Sequence, residues 1–333
     1  MSAFDSFEYA AIPPRKIAIE DISSQGGPYC MSYGYDPTPL LESMKKVGLL
    51  NPPLLVAKSV GGFDVVSGYR RIRAAFSLGW EKLFCRDLTD LKMTNFDLLL
   101  LNLYENLSTR SFNEIENAMV IKRLSLHVSH EGLIRDYMPL LGLSPYETVL
   151  RTYLLLEELE EPVRAGVAKG TISGQAAKLL LDLEAGSRLA IYECILDLRL
   201  NANYQKQLIE YLVEISKIEN TSIHGILSRT PLTEILKKEP TNSPQKAKSL
   251  LGALRIMRNP RVADAENRFQ QQLSSIRLPP GTRIIHAPFF EDPFFTLEMT
   301  FKDGRGLKEK ILRISETDGI ENIQMPWLRQ DDK

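Results

Sequence analysis

Residues 65–75 have the sequence Val65-Val66-Ser67-Gly68-Tyr69-Arg70-Arg71-Ile72-Arg73-Ala74-Ala75. Two short apolar runs, 54–58 and 63–66, precede Gly68 and flank a Gly61-Gly62 pair. Such runs around a glycine turn predict a β-hairpin. The spacing of apolar residues after Gly68 predicts a helix over 70–78, with Gly79 at its end. A strand therefore leads through a glycine into a helix that begins with arginines.

This junction has the groups that bind phosphate. The first turn of a helix has unpaired N–H groups and a partial positive charge, and Gly68 allows close approach of a ligand to the backbone. Arg70 and Arg71 add guanidinium groups, which donate two hydrogen bonds at once to an anion. The pattern alone leaves a second interpretation open, in which both arginines are solvated or paired with carboxylates.

A second polar motif follows a leucine-rich segment. Its sequence is Glu105-Asn106-Leu107-Ser108-Thr109-Arg110. A helix is predicted directly after it, over 112–128, with Ser111 as N-cap and Glu114 completing a capping box. The leucine-rich segment 96–104 is compatible with either a buried strand or a helix.

Together the two motifs resemble ParB-type partition proteins. Residues 68–74 are similar to the Gly-Glu-Arg-Arg-x-Arg-Ala box of that family, 105–110 to its Glu-Asn-x-x-Arg box, and 112–118 to its Asn-Pro-Ile-Glu-Glu-Ala helix start. The resemblance implies a multidomain α+β protein. It would have an N-terminal ParB/sulfiredoxin-like α/β domain, a central all-α domain with a helix-turn-helix, and a small C-terminal αββα domain. By the same analogy, segment 96–104 is expected to be a strand.

The resemblance also implies CTP and Mg²⁺ as ligands of the N-terminal domain. The residues that the resemblance assigns to the nucleotide are Gly68, Arg70, Arg71 and Arg110 of the two boxes, together with Asn51. Asn51 stands in the place of the glutamine in the family's Gly-hydrophobic-x-Gln-Pro entry into the next strand, which 48–54 resemble. Glu105 and Asn106 would coordinate the metal through oxygen atoms.

The chain departs from the family at two further places. Tyr69 replaces the glutamate of the first box, and Pro28–Tyr33 stand where the family has an Asn-Pro-x-Gln-Pro-Arg box. Because tyrosine, with an ordinary pKa near 10, is a poor base at neutral pH, we expect weak or absent CTP hydrolysis.

The predicted domain boundaries follow changes in composition. The five segments are 1–110 (nucleotide binding), 111–239 (helical), 240–260 (basic linker and helix start), 261–315 (dimerisation) and 316–333 (tail). The clearest linker is Pro240-Thr241-Asn242-Ser243-Pro244. The 261–315 unit is too small to bury its two predicted strands well, so we expect two copies to join as a homodimer.

The helix-turn-helix is predicted over about 133–158. Its first helix would span 133–141 and its second 145–158, with Gly142 at the turn, Ser144 as N-cap and Pro145 as the first helical residue. The residues of the second helix expected to contact DNA are Tyr146, Glu147, Arg151 and Thr152. However, 131–184 holds nine acidic and five basic residues, so a protein-binding or purely structural bundle remains an alternative.

A second candidate DNA contact lies in 237–261, which has seven basic residues against one acidic residue. Its predicted contacts to phosphate include Lys246, Lys248, Arg255 and Arg258, and a solvated helix face is the competing interpretation.

The composition limits the classes of protein to which the chain could belong. With a net charge of −1, no global field attracts nucleic acid, and the three cysteines lack zinc or disulfide spacing. No apolar run is long enough for a membrane span, and the cysteine usage fits a reducing cytosol. The resemblance implies a cytoplasmic, nucleoid-associated bacterial protein. The resemblance adds a ParA-type ATPase as partner and chromosome or plasmid segregation as the process.

The main alternative is a DNA-binding transcriptional regulator that needs no nucleotide. A nuclease is disfavoured because no acidic or histidine cluster is visible, and sulfiredoxin chemistry is excluded because the box contains no cysteine.

Overall fold

The structure is a computed structural model that describes residues 11–23, 25–237 and 242–326. The chain divides into two compact units, one formed by residues up to 209 and the other from residue 210 onwards. A mixed sheet and many helices form the first unit, and helices with a small hairpin form the second. This architecture confirms the multidomain α+β prediction.

The first unit begins with a four-stranded sheet. Its strands are β1 (Arg15–Ala18), β2 (Leu54–Ala57), β3 (Phe63–Ser67) and β4 (Lys82–Asp87). Their order is β1-β4-β2-β3, with β2 and β4 parallel and the other pairs antiparallel. Leu55, Val65 and Cys85 are at most 2% exposed and form the core with Ile72 of the following helix. Helix α1 (Thr38–Val47) packs on that helix.

Helix α2 (Tyr69–Ser77) starts directly after β3, as the sequence predicts. Gly68 is its N-cap and has a φ of 91°, a conformation that side-chain-bearing residues rarely adopt. A Cβ atom at this position would lie 2.9 Å from the Cβ of Pro53 and 3.1 Å from the Arg71 guanidinium. The glycine therefore sets both the turn and the position of Arg71.

Helix α3 (Asn95–Thr109) replaces the strand expected over 96–104, so that prediction is wrong. Thr94 and Asp97 form a capping box that starts the helix. Leucine favours helix, whereas the β-branched residues typical of strands are absent from the segment. Residues 98–103 are all buried, which hides the helical period in the sequence.

Helix α4 (Glu114–Leu124) begins two residues later than predicted. Its N-cap is Asn113 rather than Ser111, and the capping box is completed by Glu116 rather than Glu114. The amide oxygen of Asn113 accepts a hydrogen bond from the backbone N–H of Glu116 at 2.9 Å. This shift of register turns Glu116 inward, where it becomes part of the candidate site.

The predicted helix-turn-helix region is less regular than expected. Residues 130–141 form α5 (His130–Gly132), a π-helical turn (Leu133–Tyr137) and a 3₁₀ turn (Pro139–Leu141), so one regular first helix over 133–141 is wrong. Gly142 makes the turn with a φ of 70°. Helix α6 (Glu147–Leu156) starts after Tyr146, not Ser144, because the backbone at Tyr146 is still extended. The assignment of a DNA-binding function stays a prediction.

Further helices complete both units. They are α7 (Glu161–Ala168), α8 (Gly174–Leu180), α9 (Ala185–Leu198), α10 (Ala202–Glu219), α11 (Ile223–Leu227), α12 (Thr230–Lys237), α13 (Ser243–Arg258) and α14 (Pro260–Ser274). The unit boundary falls inside α10. Residues 240–241 of the predicted linker lie outside the described residues.

A hairpin and one more helix end the second unit. They are β5 (Thr282–His286), β6 (Phe295–Met299) and α15 (Gly304–Ser315), in the predicted order. Phe269 of α14 is 1% exposed and stacks on Phe295, with ring centroids 5.4 Å apart. Residues 327–333 of the predicted tail lie outside the described part of the chain. Among the described helices, none combines the length and apolar character that a bilayer crossing requires.

Candidate functional site

A cavity of about 260 Å³ lies where β3 meets α2 and where α3 ends. All seven residues predicted for the nucleotide and metal line it: Asn51, Gly68, Arg70, Arg71, Glu105, Asn106 and Arg110. The two sequence motifs therefore meet in space although 30 residues separate them in the sequence.

Arg71 and Glu105 are in direct contact across this cavity. Nη2 of Arg71 donates to Oε1 of Glu105 at 2.8 Å, and Nη1 donates to the backbone oxygen of Asn51 at 2.7 Å. The hydroxyl of Ser67 donates to the other carboxylate oxygen of Glu105. Arg71 is held in position while its side chain stays 20% exposed. A rigid, partly accessible guanidinium is a suitable donor to an anion.

Arg70 and Arg110 share one buried carboxylate. The side chain of Glu116 is 1% exposed, and each of its oxygens accepts from one arginine at 2.6 Å. It also accepts from the backbone N–H groups of Tyr33 at 3.1 Å and Asn113 at 3.2 Å. This network joins the start of α2, the end of α3 and the start of α4. Both arginines are ion-paired, which matches the alternative left open by the sequence.

Burial affects the pKa of Arg110. Desolvation lowers the pKa of its guanidinium, the charge of Arg70 lowers it further, and the Glu116 carboxylate opposes both. Arginine nevertheless remains protonated at neutral pH. The cavity thus holds a concentrated positive charge whose local partners are Glu105 and Glu116.

Sequence reasoning missed the contribution of residues 28–33. Cys30 and Met31 are buried, and with Ser32 they form one wall of the cavity. The backbone oxygen of Met31 accepts from Arg110 at 2.7 Å, and Ser32 Oγ accepts from Arg70 at 3.3 Å. This segment occupies the place of the absent Gln-Pro-Arg box, and its composition gave no signal for that role.

Sequence reasoning also missed Glu116. The spacing Asn113-x-x-Glu116 is a capping-box pattern, and a carboxylate next to the apolar residues of α4 could have identified it. Ser111 and Glu114 fit the same pattern two residues earlier, and the predicted N-cap rests on them.

The residues predicted for Mg²⁺ fit a metal only in part. Oδ1 of Asn106 accepts from Nε of Arg110 at 2.7 Å, and its amide nitrogen donates to Asn102. The described residues contain no group of three or more histidine, cysteine or acidic side chains suited to a metal. Glu105 could still serve as a carboxylate ligand to Mg²⁺, which commonly takes one or two carboxylates together with substrate phosphates.

Residues predicted for DNA lie on the surface of α6. Tyr146 is 66% exposed. Arg151 is also exposed, with its Nε 3.1 Å from the Glu147 carboxylate, and Thr152 Oγ1 donates to the Thr148 carbonyl at 2.9 Å. Arg151 is therefore accessible but partly neutralised.

The acidic run after α6 is paired within the first unit. Glu157 lies 3.7 Å from Arg123, Glu158 lies 3.3 Å from Lys122, and the Glu160 carboxylate contacts Arg188 at 2.5 Å. These pairs reduce the repulsion that the run would otherwise exert on a phosphate backbone.

The basic residues of the second unit differ in availability. Lys246 donates to the Leu236 carbonyl at 3.0 Å, Arg255 pairs with Glu266, and Arg258 pairs with Glu214. Lys248 is exposed on α13. The local positive charge is therefore smaller than the sequence count indicates.

The N-terminal part of the chain is similar to known proteins. Residues 15–103 match the ParB N-terminal domain. Stage 0 sporulation protein J of Bacillus subtilis is 31% identical over 179 residues, covering 52% of this chain and 59% of that protein. A nucleoid occlusion protein of Halalkalibacterium halodurans is 24% identical over 178 residues, covering 53% and 59%. The match thus spans about three fifths of these relatives. The N-terminal part of the chain is therefore similar to ParB N-terminal domains, as its two motifs predict.

Two solved structures also align with the chain. Both are of C-terminally truncated ParB from Caulobacter crescentus, one complexed with CTP-gamma-S and one with the centromeric parS site. They are 20% and 19% identical, cover 55% and 59% of this chain and 98% of each truncated protein, and give TM-scores of 0.26 and 0.32.

Proposed function

We propose that the chain is a DNA-binding ParB-type protein of chromosome or plasmid segregation. It binds CTP with Mg²⁺ and acts as a clamp switch, which means that the nucleotide controls its closing as a clamp around DNA. Its hydrolysis of CTP is weak or absent. The observation that carries this proposal is the contact between Arg71 and Glu105 at the wall of a cavity, at 2.8 Å. The proposal includes a cytoplasmic, nucleoid-associated location and a ParA-type ATPase as partner, both of which come from the family resemblance.

The triphosphate would lie against the start of α2. Gly68 allows the phosphates to approach the backbone, and the first turn of the helix provides N–H donors. Arg70, Arg71 and Arg110 line the same cavity and would exchange part of their bonding to carboxylates for bonds to phosphate. The choice of the cytidine nucleotide rests on the resemblance.

A magnesium ion would be held by Glu105 and by phosphate oxygens, with Asn106 contributing only if Arg110 releases its amide oxygen. When bound, the ion would neutralise phosphate charge and orient the phosphates.

DNA would contact two surfaces. Tyr146, Arg151 and Thr152 of α6 form the candidate base-contacting surface, and Lys246, Lys248, Arg255 and Arg258 form a candidate phosphate-contacting surface. Each phosphate contact adds to the salt dependence of binding.

A second candidate function is a DNA-binding transcriptional regulator that needs no nucleotide. The ion pairs of Arg70, Arg71 and Arg110 favour it, because the described protein groups already satisfy these cations.

Isothermal titration of the full chain with CTP and Mg²⁺, with and without candidate DNA, separates the two. The switch predicts saturable binding of one CTP per chain and an affinity that depends on DNA. If the chain binds DNA but gives no heat on titration with CTP, it acts as the nucleotide-independent regulator.

Tyr69 leads to a prediction about hydrolysis. Burial raises the pKa of its phenol above the ordinary value, so it is protonated at neutral pH and cannot act as a base. We expect Tyr69→Glu to increase phosphate release from CTP in the presence of DNA by about tenfold or more, since a positioned general base contributes at least that much. Tyr69→Phe is the control and should leave the slow rate unchanged. Rapid turnover by the unaltered chain, or a loss of rate in Tyr69→Phe, contradicts this explanation.

The second unit has the features of a dimerisation domain. Helix α15 has no buried residue, although it carries Ile311 and Leu312, which are 50% and 54% exposed. Phe294 and Phe301 near the hairpin are 76% and 53% exposed. An isolated two-stranded hairpin is marginally stable, so a second copy of this unit is the proposed cover.

We expect Leu312→Asp to weaken the dimer at least about tenfold, because it would bury a charge in an apolar interface. Sedimentation equilibrium over a range of concentrations measures the effect. Leu126→Asp, an equally drastic change at a residue of the first unit that is 77% exposed, is the matched control. Equal dimerisation of both variants would place the interface elsewhere.

A further inference from the structure

The connection between β5 and β6 contains one three-residue sequence twice. Residues 288–295, which we call the PFF loop, read Pro-Phe-Phe-Glu-Asp-Pro-Phe-Phe. One phenylalanine of each Pro-Phe-Phe copy packs inwards, since Phe290 is buried and Phe295 packs against the core of the second unit. The other one projects into solvent, with Phe289 49% and Phe294 76% exposed. The loop therefore has two apolar anchors and two exposed rings.

The anchors fix the shape of the PFF loop. The Phe290 ring meets the Phe269 ring edge to face, with centroids 5.7 Å apart, and stacks on the His286 ring at 3.8 Å. The backbone at Phe289 and Phe290 has φ values of 56° and 54°, which residues with bulky side chains rarely adopt. Such a conformation persists only where the surrounding packing enforces it. The loop therefore already has its conformation before any partner binds.

Two acidic residues lie between the exposed rings. Glu291 and Asp292 are both exposed, and the Asp292 carboxylate accepts a hydrogen bond from the backbone N–H of Phe294 at 3.0 Å. No lysine or arginine of the described residues forms an ion pair with either carboxylate, whereas Glu298 of β6 is paired with Arg283 at 2.6 Å. The PFF loop thus presents two uncompensated negative charges beside apolar surface.

This combination of groups limits the kind of partner. Aromatic rings are enriched at protein–protein interfaces, and a preformed loop loses little conformational entropy when it binds. The two carboxylates would repel DNA phosphates and anionic lipid headgroups. They would attract lysine or arginine side chains that lie next to an apolar surface. A protein segment of that composition complements the PFF loop in both charge and polarity.

We propose that the PFF loop docks a segment of a partner protein in which aliphatic or aromatic side chains are flanked by lysine or arginine. The two exposed phenylalanines contact the apolar side chains, and the two carboxylates pair with the cations. This inference goes beyond the proposed function, in which a second copy of the chain covers α15 and the hairpin. That second copy is the competing occupant of the loop.

Selection from a random peptide library displayed on phage, with the full chain as target, tests this proposal. The most enriched peptides should carry lysine or arginine beside apolar residues. The top peptide, synthesised with a fluorescent label, should bind the unaltered chain saturably in anisotropy titrations. The double variant Phe289→Asn, Phe294→Ser should bind it at least about tenfold more weakly, since aromatic anchors dominate interface energies. Asparagine tolerates a positive φ, so the loop keeps its shape in this variant.

Two further variants separate the charged from the apolar contacts. Glu291→Gln combined with Asp292→Asn should weaken binding of the peptide and reduce its dependence on salt, because this double change removes both charges. Phe301→Ser, at another exposed phenylalanine outside the PFF loop, is the matched control and should bind the peptide as the unaltered chain does.

Four results would overturn the inference. The first three are a library without any peptide whose binding depends on the loop, enriched peptides without cations, and full binding by the variant that lacks Phe289 and Phe294. The fourth is dissociation of the dimer by that variant as strong as the dissociation caused by Leu312→Asp, which would assign the loop to a second copy. Each of these results leaves the proposed nucleotide and DNA functions intact.

Discussion

Replacing Glu116 with alanine is expected to lower the free energy of unfolding of the first unit by about 3–5 kcal/mol. The carboxylate is 1% exposed and lies between Arg70 and Arg110, at 2.6 Å from each. Its removal leaves two guanidinium groups close together without their shared counter-charge. It also removes the acceptor of two backbone N–H groups, those of Tyr33 and Asn113. Urea denaturation followed by circular dichroism measures the change.

Glu158→Ala is the matched control for this experiment. Glu158 also pairs with a cation, Lys122, but the two side chains are 60% and 46% exposed. Exposed pairs contribute about 0–1 kcal/mol, so this variant should unfold almost like the unaltered chain. Equal destabilisation by the two substitutions would mean that the buried network does not hold α2, α3 and α4 together.

Arg71→Ala is expected to weaken binding of CTP with Mg²⁺ by about 10- to 150-fold. Loss of one charge-assisted hydrogen-bonding group costs on the order of 1.5–3 kcal/mol, which corresponds to this range. The substitution also leaves Glu105 without its arginine partner, so the carboxylate would repel the phosphates when no metal is bound. Calorimetric titration measures the dissociation constant.

Arg73→Ala is the control on the same helix. Arg73 is exposed and is not among the residues that line the cavity. Arg73→Ala removes the same charge from α2 as Arg71→Ala does, so it measures how far the loss of one positive charge by itself weakens CTP binding. If both variants bind CTP equally, the arginines act only through the overall charge of the helix, and the proposed phosphate site is wrong.

The sequence predicted the strand–glycine–helix junction because each of its signals is local. Gly68 requires its unusual φ, and the apolar residues after it follow one helical face. The meeting of Arg71 with Glu105 could be predicted only through the family resemblance, since nothing local connects two residues that are 34 positions apart.

Two failures have physical reasons. The strand expected over 96–104 comes from the family analogy, and the sequence shows no helical period against it, because a helix buried on all sides loses that period. Glu116 was overlooked because a buried carboxylate depends on distant partners, here Arg70 and Arg110, which a local pattern does not contain. The first part of the predicted helix-turn-helix contains a π-helical turn over Leu133–Tyr137 in place of a regular α-helix. A composition that favours a helix therefore does not determine which carbonyl each backbone N–H bonds to.

The most direct test of the central claim is a crystal structure of the full chain grown with CTP and Mg²⁺. The account predicts phosphate oxygens within hydrogen-bonding distance of the Arg71 guanidinium and the backbone at Gly68, with the metal contacting Glu105. Nucleotide bound at another surface, with the Arg71–Glu105 ion pair unchanged, would contradict it.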